Sequence, residues 1–192
     1  SPSCVYSQSV YAVDWRGFGS SMTVTMESRQ IVREAYGYRC GYCGVSESDI
    51  GGELQVDHYQ PVTRDGADSL DNLVYSCVHC NQFKGNYWSD VNDPDSFHVL
   101  HPEIDDIDVH VQVTASGRVE GLTLRGWFHI NRLHLNRPQL VVWRQNWQQY
   151  RRMEAALNQS EEVAIRLQQR IRELEQEAFF LRQRIARLTG TE

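Results

Sequence analysis

Residues 39–87 read RCGYCGVSESDIGGELQVDHYQPVTRDGADSLDNLVYSCVHCNQFKGNY, and this stretch decides the fold. It contains two Cys-x-x-Cys pairs, at 40–43 and at 77–80. Two such pairs, brought together by the chain between them, supply the four thiolates of a tetrahedral zinc site. In a reducing compartment this spacing favours metal over disulfides. The predicted zinc ligands are Cys40, Cys43, Cys77 and Cys80. On the cysteines alone, a structural zinc ribbon without catalysis is the favoured interpretation.

The chain between and after the cysteines predicts the order strand, loop, strand, helix. Apolar residues in 54–59 and again in 73–75 suit two strands, and Asp65-Gly66 marks a turn in the loop between them. The segment after Cys77 suits a helix of about two turns that Gly85 would end. A short helix at 26–38 is expected to lead into the first cysteine pair.

Several polar residues of this stretch stand in an order that resembles the HNH endonuclease family, in its four-cysteine subgroup. They are Asp57-His58, Pro61, Asn72-Leu73, Cys80-Asn81 and Lys84-Gly85. The resemblance covers about 50 residues and implies a ββα-metal nuclease module stapled by the zinc site. Because Asn81 stands at the last motif position, the chain would be an H-N-N variant. The zinc would be structural only.

The resemblance also implies roles for individual residues. His58 would be the general base that takes a proton from the attacking water. Asp57 would bind the catalytic metal, and Asn81 would supply an amide oxygen to the same ion. All-oxygen ligation favours hard ions, so Mg²⁺ or Mn²⁺ is the expected catalytic metal. From the residue alone, Asp57 could also be a solvated loop aspartate.

Two further residues receive expected roles. Asn72 resembles the family residue that ties the hairpin loop together and so orients His58, although an ordinary turn asparagine would have the same spacing. Lys84, the only lysine in the chain, lies one helical turn after Asn81 and is a candidate for a phosphate contact. His79, inside the second cysteine pair, is expected to be structural or exposed.

The chain as a whole is predicted to contain three regions of different kinds. Residues 1–25 are expected to form an N-terminal arm, residues 26–137 the nuclease domain with a second β-hairpin at 109–124, and residues 138–190 one long helix. The fold class is therefore α+β. Within 153–188 apolar residues recur in steps of four and three, which is a coiled-coil heptad pattern. A homodimer or a partner protein is expected to bind through this helix.

Composition narrows the classes of function. The formal net charge of −6 argues against a protein that coats nucleic acid through bulk positive charge, so contacts to nucleic acid, expected to be DNA, must be local. No apolar run approaches the length of a membrane span. The N-terminal residues lack the basic segment, the apolar core and the cleavage site of a secretory signal, so a cytoplasmic location is expected. A zinc-stabilised binding or assembly module without catalysis, and a nuclease subunit that is active only with a partner, remain open alternatives.

Overall fold

The predicted strand, loop, strand, helix order is present in the computed structural model, which describes residues 24–89 and 97–189. Strand β1, Gln55–His58, pairs antiparallel with β2, Leu73–Ser76, and the register places His58 opposite Leu73. Helix α1, Met26–Ala35, and the single turn α2, Glu47–Ile50, precede β1. Helix α3, Val78–Lys84, begins directly after β2.

Local sequence explains where these helices begin and end. Thr25 and Ser28 form a reciprocal cap at the start of α1, and Ser46 with Asp49 does the same for α2. Helix α3 ends at Gly85, as expected, because the backbone there has φ +53°, a value that glycine adopts without steric penalty. The predicted arm at residues 1–25 lies outside the described residues except for its last two, of which Thr25 is the α1 cap.

A second hairpin follows, as predicted. Strand β3, Val111–Val113, pairs antiparallel with β4, Val119–Gly121, and the connecting turn contains Gly117 at φ +75°. One helical turn, α4, Ile107–His110, precedes β3, and helix α5, Leu124–Arg132, follows β4. The sequence did not predict α5. Its Gly126 packs closely on the junction of α4 and β3, where an added Cβ would lie 2.0 Å from the His110 carbonyl oxygen and 3.2 Å from Val111 Cγ1.

The hydrophobic core joins both hairpins into one unit that runs to Gln145. Buried side chains come from the first hairpin, from both strands of the second, and from α5 and the residues after it: they include Leu54, Leu73, Val74, Val111, Val119, Ile130, Leu133 and Leu135. Helix α6, Pro138–Thr189, begins inside this core through Leu140 and the buried Arg144. Arg144 donates hydrogen bonds to the carbonyl oxygens of Gly117 and Leu135 at 3.1 and 2.8 Å. The combination of helices with small antiparallel sheets confirms the α+β class.

The second unit begins at Asn146 and consists of the rest of α6. Large apolar side chains of the predicted heptad are exposed along this part of the helix. The exposed fraction is 60% for Leu157, 54% for Ile171 and 79% for Leu188. Over the ranges 24–89 and 97–189, no helix combines the length and the apolar character that crossing a membrane requires.

Candidate active site and metal centre

The four cysteines meet in one buried cluster. Cys40 and Cys43 lie in the turn after α1, Cys77 caps α3, and Cys80 is in its first turn. All four Sγ atoms lie within 4.8 Å of one another, and Cys43 Sγ is 3.8 Å from Cys77 Sγ. Zinc–sulfur bonds of about 2.3 Å in a tetrahedron imply sulfur–sulfur distances of about 3.8 Å. The cluster therefore fits the predicted zinc site, and all four thiols are free.

An arginine outside the motif contacts this cluster. Arg137 Nη2 lies 3.8 Å from Cys77 Sγ and 3.8 Å from Cys80 Sγ. Although burial opposes it, the neighbouring cysteine sulfurs raise the pKa of Arg137. Four thiolates around one Zn²⁺ leave a net charge of −2, so a fixed guanidinium offsets part of the charge that accumulates there.

Asp57 is held inside the first hairpin by two side chains. Its Oδ1 accepts from Lys84 Nζ at 3.1 Å, and its Oδ2 accepts from the Tyr42 hydroxyl at 3.0 Å. Asp57 is 7% exposed and Tyr42 is fully buried. Burial raises the pKa of Asp57, while Lys84 and the Tyr42 hydrogen bond oppose that shift. A carboxylate has about four lone-pair sites, so these two contacts leave positions for a metal ion.

Lys84, the predicted phosphate contact, is buried and is hydrogen-bonded within the protein. Its side chain is 1% exposed, and Nζ donates to the His58 carbonyl oxygen at 2.6 Å as well as to Asp57. Burial lowers the pKa of Lys84, while Asp57 opposes the shift. Helix geometry explains these contacts: Lys84 is on the face of α3 that packs on β1, so its ammonium meets buried acceptors.

His58 has a partner that the sequence did not reveal. His58 Nε2 is 2.6 Å from Asp68 Oδ1, and the two side chains are 21% and 33% exposed. Asp68 lies in the loop between β1 and β2, which also contains Asp65 and Asp71. Sequence spacing gives no signal that separates these three aspartates, so only the folded loop identifies Asp68.

The loop itself is tied together by Asn72, as the family resemblance implied. Asn72 Oδ1 accepts from the Gln60 backbone N–H at 2.8 Å, and Nδ2 donates to the carbonyl oxygens of Gln60 and Ala67 at 3.0 and 2.8 Å. The loop also crosses itself closely, because a Cβ added to Gly66 would lie 1.8 Å from the Gln60 oxygen. Asn72 thus holds Gln60 and Ala67, the residue directly before Asp68.

An open pocket of about 260 Å³ gathers four of the predicted residues. Asp57, His58, Asn81 and Lys84 all line it, together with residues of the loop and the end of α3. Asn81 Nδ2 donates to Gln55 Oε1 at 3.0 Å, so this contact leaves the amide oxygen available as an acceptor. Among the residues that the structure describes, no arginine lines the pocket. His79 is exposed on the surface of α3, as expected.

Comparison with known proteins finds a family match in the same segment. Residues 40–87 match the family model described as HNH endonuclease. The match covers both cysteine pairs, both strands of the first hairpin and all of α3. No curated protein matches the chain in sequence.

Proposed function

On the premise that residues 40–87 form an HNH endonuclease domain, we propose that this protein is a metal-dependent endonuclease that hydrolyses phosphodiester bonds in DNA. The observation that carries the proposal is the pocket in which Asp57, His58 and Asn81 meet beside the cysteine cluster. A structural zinc ribbon has no need for a buried carboxylate that two further side chains hold in place. The family implies an interaction with nucleic acid, and DNA is the narrower proposal.

Asp57 and Asn81 would hold the catalytic ion. One carboxylate and one amide oxygen form a hard donor set, which suits Mg²⁺ or Mn²⁺ with water and phosphate oxygens as further ligands. When bound, such an ion polarises the phosphate and offsets the charge on the leaving oxygen. Lys84 keeps the Asp57 carboxylate paired in its buried position, and Tyr42 fixes the second oxygen.

His58 would act as the general base. A neutral imidazole accepts a proton from water as the water oxygen attacks phosphorus, and the bond to the leaving oxygen breaks in line. His58 follows Asp57 directly on β1, so base and metal ligand are fixed by the same strand. The zinc site stands apart from this chemistry and holds α3 against the first hairpin.

Substrate binding depends on local contacts. The net charge of −6 and the lack of arginine among the pocket residues mean that bulk attraction to phosphate is weak. We therefore propose that a second copy or a partner supplies part of the affinity for DNA.

The helix after Asn146 is the proposed surface for a second copy. With Ile171 at heptad position a, leucines stand at d in 167, 174, 181 and 188, and position a alternates alanine and isoleucine in 164, 171, 178 and 185. Isoleucine at a with leucine at d favours parallel two-stranded coils. The same register places Arg170 opposite Glu175 and Glu177 opposite Arg182 of the other copy, which are complementary charges. Light scattering would show a dimer for the wild type. Replacing Leu174 with Asp should give a monomer, whereas the off-seam control Phe179→Asp should stay dimeric; a monomeric wild type would refute the proposal.

The test of the nuclease is cleavage of supercoiled plasmid and of single-stranded RNA with Mg²⁺, Mn²⁺ or EDTA. The proposal predicts plasmid nicking that requires the divalent ion and is lost in Asp57→Asn and in Asn81→Ala, with zinc content unchanged. RNA cleavage without plasmid cleavage would show that the substrate is RNA and not DNA. A wild type that cuts neither substrate, even as the assembled dimer, would favour the non-catalytic assembly module.

A further inference from the structure

We propose that Asp68 is the positioning residue for His58, and that it fixes both the orientation and the tautomer of the imidazole. This inference rests on the proposed role of His58 as general base. Its starting point is the hydrogen-bonding contact of 2.6 Å between His58 Nε2 and Asp68 Oδ1.

The chemistry of the contact selects one tautomer. An ionised carboxylate only accepts hydrogen bonds, so Nε2 must carry the proton that Asp68 accepts. A neutral imidazole has one donor nitrogen and one acceptor nitrogen. The lone pair that can take a proton from water is therefore on Nδ1, and the base is ready without a tautomer change.

The position of Asp68 suits a residue that supports the His58 ring and does not bind substrate. His58 lines the pocket, whereas Asp68 is not among the lining residues. The carboxylate thus meets the imidazole ring away from the space that a phosphate and a metal ion would occupy. Substrate can enter without displacing Asp68.

The loop holds Asp68 through its neighbour. Asn72 Nδ2 donates to the carbonyl oxygen of Ala67, the residue directly before Asp68, at 2.8 Å. The close crossing of Gly66 over Gln60 limits how far this part of the loop can shift. Asn72 therefore supports the backbone beside Asp68, a contact that the motif spacing alone does not show.

An exposed ion pair would be the ordinary alternative, with an effect on stability of about 0–1 kcal/mol and none on chemistry. The experiment that separates the two compares Asp68→Asn with Asp65→Asn, both in the assembled, zinc-loaded protein. Asp65 is an exposed carboxylate of the same loop at φ +61°, which asparagine tolerates, so the control removes equal charge without touching His58.

Plasmid or short-duplex cleavage should show a fall in kcat of about 10- to 100-fold for Asp68→Asn, the usual range for a residue that orients another through a hydrogen bond, with KM within about twofold. The Asp65→Asn control should match the wild type. In a His58→Ala background, Asp68→Asn should have no further effect, because the residue acts only through the imidazole. An equal loss in both backgrounds would overturn the proposal.

A second readout does not require activity. The ¹⁵N shifts of the His58 ring, assigned by their absence in His58→Ala and recorded without Mg²⁺ or Mn²⁺, should show the Nε2-protonated tautomer in the wild type and a mixture in Asp68→Asn. Identical tautomers in the two proteins would refute the positioning role. If the wild type failed to cleave any substrate, the base role of His58 would fall, while this measurement would still decide whether Asp68 fixes the ring.

Discussion

Removing the only lysine of the chain should destabilise the fold far more than removing a surface cation. In Lys84→Met, the Asp57 carboxylate loses its buried partner at 3.1 Å, where side-chain exposures are 1% for Lys84 and 8% for Asp57. At that distance the attraction is about 5 kcal/mol with an effective dielectric constant of 20. Breaking one side of a buried pair costs about 3–5 kcal/mol, because the remaining charge stays buried. We therefore expect the free energy of unfolding to fall by about 3–5 kcal/mol.

Urea denaturation of the zinc-loaded protein, followed by circular dichroism, measures this effect. Arg64→Met is the matched control: Arg64 is an exposed cation of the loop, and its loss should change the free energy of unfolding by no more than about 0.5 kcal/mol. The double variant Asp57→Asn with Lys84→Met should lose less than the sum of its single variants, since no unpaired charge is left. A loss below about 1 kcal/mol for Lys84→Met, or additive effects in the double variant, would refute the buried pair.

Three further changes test other parts of the structure. Arg137→Gln should weaken zinc affinity about 10- to 100-fold in a chelator competition, because its guanidinium lies beside two ligand sulfurs, while the exposed Arg118→Gln should not. Burial lowers the pKa of His129 to about 3, so the folded state resists its protonation: stability present above pH 6.5 should be lost toward pH 3 at about 1.4 kcal/mol per pH unit, and His129→Gln should remove that part of the slope in denaturation curves. Gly66→Ala should cost about 1–3 kcal/mol in the same assay and loosen the loop, because its Cβ would overlap the Gln60 oxygen. Zinc affinity equal in the two arginine variants, an unchanged pH slope, or a Gly66→Ala protein as stable as wild type would each contradict the corresponding contact.

The sequence predicted those parts of the molecule that local chemistry determines. Two cysteine pairs have a spacing typical of zinc sites, and the structure brings the four thiols into one cluster. Asp65-Gly66 and Gly85 mark the loop and the end of α3 because turns and helix ends favour these residue types. The second hairpin and the long helix from Pro138 were predictable for the same reason.

The features that the sequence did not reveal are those that long-range packing determines. Helix α5 contains Gly126, which lowers helix propensity, yet the same glycine permits close packing against β3. The face on which Lys84 lies depends on how α3 packs on β1, and the spacing from Asn81 does not contain that information. Asp68 became distinguishable from its neighbours only when the folded loop placed it beside His58.

In the proposed function, His58 is the general base for phosphodiester hydrolysis, in a pocket that none of the four cysteines lines. Single-turnover cleavage of a short DNA duplex in Mn²⁺, by wild type and by His58→Ala with equal zinc content and equal stability, tests it most directly. We predict cleavage by the wild type, abolished by EDTA concentrations that leave the zinc bound, and a loss of at least about 100-fold in His58→Ala. Cleavage by His58→Ala at the wild-type rate would contradict the assignment of the base and of the pocket.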